Sequence, residues 1–93
     1  MTRPRSRMER YRRAPDELFS QQRDTKCSSM EELGEVLRTR RKGRRYTQTE
    51  MAEICGFSQR LISEMERGRG TVGIDKVLLY AHWLGVDVIA RLR

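Results

Sequence analysis

Two short segments, each opened by a helix-capping side chain and separated by one glycine, constrain this 93-residue chain most. Thr47-Gln48-Thr49-Glu50 has the spacing of a capping box, in which the Thr47 hydroxyl and the Glu50 carboxylate each satisfy a backbone N–H left without a partner at a helix start. Met51, Ala52, Ile54 and Cys55 follow, Gly56 ends the run, and Ser58 caps a second one carrying Leu61, Ile62 and Met65 up to Gly68. Helices this short do not persist alone in water, so each must be held by packing against a neighbour.

Helical periodicity brackets this pair. Ser28 or Ser29 caps an upstream helix, with Glu31 and Glu32 in its first turn, and Met30, Leu33, Val36, Leu37 and then Arg40/Arg41 recur at three- and four-residue steps. A last helix begins near Asp75, turns Val77, Leu78, Tyr80, Ala81 and Leu84 inward, and ends at Gly85. The expected fold is all-α, a small helix-turn-helix bundle of four to five helices over residues 28–85. A basic arm precedes it at 1–27 and a C-terminal strand follows at 86–93.

The central pair suits a helix laid in a DNA major groove. Ala52 is small where the second helix of the pair crosses, Gly56 permits the reversal, and Ile62 fills the angle between them. Ser58, Gln59, Arg60 and Ser63 then face outward with groups able to read base edges. Gln59 matches adenine and Arg60 guanine, each through two hydrogen bonds. Thr47 is a cap first and a phosphate contact second. Arg44, Arg45 and Arg69 flank the motif, and no acid interrupts residues 38–45, so these cations are assigned to phosphates.

After Gly85 the period changes to two, with Val86, Val88, Ala90 and Leu92 alternating with mostly polar residues. A strand cannot satisfy its own backbone, and a second copy of the chain would complete it across a two-fold axis; a short final helix or a frayed end is the alternative. Leu79 and Trp83, left outside on the last helix, fit the same homodimer interface. His82 beside them has no second ligand nearby, so no metal and no cofactor are expected.

The stretch TQTEMAEICGFSQRLISEMERGRG resembles the XRE/Cro family of repressors, whose bundle is lambda repressor-like. The resemblance covers residues 30–85 or so. It implies that Gln48 holds a phosphate, that Ser58, Gln59, Arg60 and Ser63 meet bases with Glu64 as a further candidate, and that Arg41 pairs with Glu66. With a single strand after the bundle, the segment Lys76–Leu92 is also similar to HipB-type antitoxins. That second resemblance implies a HipA-like serine/threonine kinase toxin as partner and autoregulation of a shared operon; the arginine-rich arm departs from it.

Charge agrees with a polyanionic partner. Lys and Arg number 20 against 13 acids, a net +7. Arg3, Arg5, Arg7, Arg10, Arg12 and Arg13 crowd the arm, which is read as a solvated tail, as the product of an upstream start codon that is never made (with Met8 and Met30 as alternative starts), or as extra phosphate contacts. No apolar run approaches the roughly 18 residues of a membrane helix, and Cys27 and Cys55 show neither CxxC nor metal spacing, so the expected setting is the cytoplasm. No nucleophile–base pair or phosphate-cradling glycine loop points to an enzyme. The expected function is a dimeric repressor of a near-palindromic double-stranded operator, most specifically an antitoxin; a stand-alone repressor and a protein-docking module are the alternatives.

Overall fold

The computed structural model describes residues 24–93 and folds them around four helices, α1 (Met30–Gly43), α2 (Gln48–Cys55), α3 (Gln59–Glu66) and α4 (Ile74–Leu84). The basic arm therefore falls largely outside the described residues. Local chemistry explains the helix starts. Ser29 Oγ accepts from the Glu32 N–H at 3.1 Å, while the Glu32 carboxylate accepts in return from the Ser28 N–H. Thr47 and Glu50 complete the reciprocal capping box at 3.0 and 2.9 Å, and Ser58 Oγ accepts from the Leu61 N–H at 3.1 Å.

The stops are equally local. Gly56 and Gly85 end α2 and α4 in the left-handed region at φ 74° and 75°, a conformation costly for any residue with a Cβ. Beyond Gly85, the Val86 N–H reaches back to the Ala81 carbonyl at 2.8 Å, and Val86 packs on the core beneath.

That core joins Leu37 of α1, Tyr46, Met51 and Ala52, Ile62 and Met65 of α3, and Val77, Tyr80, Ala81 and Leu84 of α4. α3 packs on both α1 and α2, which fixes the helix whose outer side bears Ser58, Gln59 and Arg60. The approach of α1 to α3 is close at Gly34, where an added Cβ would lie 2.5 Å from the Met65 carbonyl oxygen.

One expectation changes. Leu78 is 44% exposed rather than inward, because it lies beside Leu79 and Trp83 on the outer side of α4 while Val77, Tyr80, Ala81 and Leu84 take the inner stripe. The helix count lies within the expected four to five, and among the described residues 86–93 is irregular in the single chain. A lone strand has no ladder to join within one chain, so its backbone groups turn to solvent. Val88, Ile89 and Leu92 are exposed there, and Arg91 meets Asp24 at 3.3 Å, both side chains 77% exposed.

Candidate nucleic-acid interface

The site is built outward from one buried carboxylate. Glu66, at the end of α3, has a side chain only 1% exposed, and each of its oxygens accepts twice. Oε2 takes Arg41 Nε at 2.7 Å and the Tyr80 hydroxyl, while Oε1 takes Arg41 Nη2 and Gln48 Nε2, both at 3.0 Å. A carboxylate has about four lone-pair sites, so this one is saturated. Arg41 is tied further by Nη1 to the Tyr46 carbonyl at 2.8 Å.

Burial opposes the charge on Glu66, but the hydrogen bonds from Arg41, Tyr80 and Gln48 and the Arg41 charge outweigh it and hold the carboxyl below its usual range. Burial also works against the Arg41 guanidinium, yet its contacts with Glu66 leave its pKa raised. The Tyr80 phenol is pushed up, first by burial and then by donating to Glu66.

Gln48 carries this order to the surface. Because its Nε2 must donate to Glu66, its oxygen is left to accept, and Gln59 Nε2 donates to it at 2.6 Å. The amide of exposed Gln59 is therefore polarised from within: its nitrogen points toward Gln48, and its carbonyl oxygen and second N–H remain for a ligand. The starts of α2 and α3 are thereby joined.

Around Gln59 the outer side of α3 is polar. Ser58, Arg60 and Arg67 are exposed, and Ser63 and Glu64 are half-buried. Arg60 Nε stands 3.5 Å from Glu64 Oε2. Thr47 is exposed, its hydroxyl oxygen accepting in the capping box while its O–H can still donate outward, and Arg69 is exposed in the loop after α3. Arg45 is exposed between α1 and α2 with φ 66°, the single non-glycine in the left-handed region among the described residues.

Arg44 corrects the phosphate assignment. It is 8% exposed, and its guanidinium lies against Gly85. Arg40 is used nearby, with Nε donating to the Leu84 carbonyl at 2.9 Å. Both cations sit at the end of α4, where the helix dipole is negative. With Arg41 also committed, the acid-free run 38–45 is partly an internal scaffold, and of its cations Arg38, Lys42 and Arg45 are exposed. Sequence reasoning also missed the roles of Tyr46, Tyr80 and Arg40, since their partners lie 5, 14 and 44 residues away.

On α4, exposed His82 meets Trp83 edge to face at 5.8 Å, with Leu79 41% and Trp83 38% exposed. Val86 is half-buried, while Val88, Ala90 and Leu92 are exposed. Burial pushes the Cys55 thiol up to about 11, so it stays protonated at neutral pH. No described helix is long and apolar enough to cross a membrane.

The sequence matches the family described as helix-turn-helix domain over residues 32–93. No curated protein matches it.

Proposed function

This chain belongs to the helix-turn-helix domain family, and on that premise we propose that it is a sequence-specific repressor that lays α3 in the major groove of an operator. One observation carries the reading: exposed Gln59 is hydrogen-bonded through Gln48 to buried Glu66. The free carbonyl and N–H of Gln59 are the complement of adenine N6 and N7. Arg60 is the reader of guanine, and Ser58 and Ser63 border them. Thr47, Gln48, Arg45 and Arg69 hold phosphates, and Arg44 leaves that set because it is buried.

Selection of duplexes from a random library, followed by titration, tests this. Arg60→Ala and Gln59→Ala should each cost about 1–3 kcal/mol on the selected duplex and relax one base position apiece. Equal weakening on every sequence would make them phosphate contacts, and no selected sequence at all would refute base reading.

Symmetry supplies the rest of the proposal. Two copies joined through 86–93, with Leu79 and Trp83 at the interface, would space their α3 helices by about 34 Å, one turn of DNA, and so call for a near-palindrome. The exposed Trp83, Val88 and Leu92 support a covered surface here. In its finest form the proposal is a HipB-like antitoxin that also binds a HipA-like kinase toxin and represses their common operon. Support for this is the resemblance of Lys76–Leu92. Removing residues 86–93 should leave a folded monomer by gel filtration that binds half-sites poorly; an unchanged dimer removes the strand from the interface.

A further inference from the structure

Glu64 is an acid in a place where elementary electrostatics disfavours one. It lies in the C-terminal half of α3, near the negative end of the helix dipole, and α3 has no acid in its first turn and no base in its last. Its pairing with Arg60 at i,i+4 runs cation first, the weaker polarity for stabilising a helix. With Arg60 85% exposed, the pair adds little to the stability of the fold. Glu66, the other late acid of α3, is accounted for by Arg41 and Tyr80. Among the described residues, Glu64 pairs only with Arg60.

We propose that Glu64 is a positioning residue that makes Arg60 selective for guanine; this rests on the reading of α3 as the groove-facing helix. The contact is made by Nε of Arg60, at 3.5 Å from Oε2 of Glu64. With the carboxylate on the Nε side, both terminal nitrogens stay open as donors, and two parallel donors match guanine O6 and N7. A free arginine reaches phosphate as readily as a base, since any oxygen acceptor satisfies it. A neighbouring carboxylate restrains the side chain before binding, so less freedom is lost on docking, and it sets a negative charge against the phosphate backbone. Glu64 thus trades general affinity for discrimination at one base pair. The same arrangement recurs one residue earlier in α3, where Gln48 fixes Gln59.

The test uses the full chain and the duplex it selects from a random library. At the base position relaxed by Arg60→Ala, the wild type should prefer guanine by about tenfold or more. Glu64→Ala and Glu64→Gln should reduce that preference to roughly threefold or less at the same position. Binding to non-selected duplex should hold or rise, because a negative charge is removed, and the melting temperature should hold or rise slightly, because an acid leaves the negative end of the helix. Flattening of a different position would overturn the proposal by making Glu64 a base reader itself. Uniform change on all duplexes with the guanine preference intact would overturn it too. In both cases the base-reading function survives, whereas a wild type that selects no sequence refutes both.

Discussion

Glu66→Ala is expected to cost about 3–5 kcal/mol, a large share of a domain stability that is on the order of 5–15 kcal/mol. The loss comes less from the missing attraction than from what stays behind. Arg41, its side chain 8% exposed, would keep a charge with no counter-ion, and the Tyr80 hydroxyl would lose its acceptor. The comparison that isolates this cause is the triple variant Arg41→Met, Glu66→Leu, Tyr80→Phe, which removes the three buried polar side chains together and leaves half-buried Gln48 and the Tyr46 carbonyl in place. It should recover most of the lost stability in urea melts followed by circular dichroism, since apolar replacements of a buried pair are often neutral. Equal instability of the single and triple variants would show that the pair is not the source.

The same network sets the pH limits. The folded Glu66 carboxyl lies below its ordinary value, so the unfolded chain binds the first proton as acid is added. Its contribution is complete above about pH 4.3, the ordinary glutamate value, and disappears as pH falls through the folded one. Tyr80 works at the other end: its folded phenol is raised, so stability is complete below about pH 10 and is lost as pH rises beyond it. Tyr80→Phe should reduce the alkaline slope, leaving the part that begins lower and belongs to Cys55, whose thiol is raised to about 11, and should leave the acid slope in place. An alkaline slope undiminished in that variant would assign it elsewhere.

How far these features were legible differs with the range of the interaction. Thr47 and Glu50, Ser29 and Glu32, and Ser58 declare helix starts within four residues, and a capping side chain has few other uses at that spacing. Gly85 and Gly56 declare stops for the same reason. The cations of 38–45 look alike in sequence, but Arg40, Arg41 and Arg44 are spent on α4 and Glu66 while Arg45 remains outside. Only the partner distinguishes them, and it is 25 residues away for Arg41 and 44 for Arg40.

Leu78 shows a different failure. A stripe of apolar residues on α4 is wider than the face the bundle can cover, and periodicity does not say which edge is left out. Alternation in 86–93 is a pattern that one chain has no means to fulfil. The Gln48–Gln59 bond joins residues 11 apart and needs two helix starts to be adjacent, which no local rule supplies.

Gly34 is the residue where sequence logic and structure predict opposite signs. In the middle of a helix, alanine is favoured over glycine by about 1 kcal/mol, so Gly34→Ala would stabilise an isolated α1. In the bundle the new Cβ would lie 2.5 Å from the Met65 carbonyl oxygen and 2.7 Å from that of Glu66. Both neighbours are backbone at the end of α3, so no side chain can swing away and α1 must part from α3. Overpacking of this kind costs about 1–3 kcal/mol and sometimes more, and we expect a net loss of about 2 kcal/mol in urea melts. The separation also draws Glu66 from Arg41, and with it the anchor that holds Gln48 on Gln59. Binding of folded Gly34→Ala to its selected duplex should therefore weaken beyond the loss of folded protein. Thr39→Ala, on the exposed side of the same helix, supplies the propensity gain without the clash and should be neutral or slightly stabilising. If Gly34→Ala instead matches Thr39→Ala in both stability and binding, the close approach of α1 to α3 does not govern the placement of Glu66.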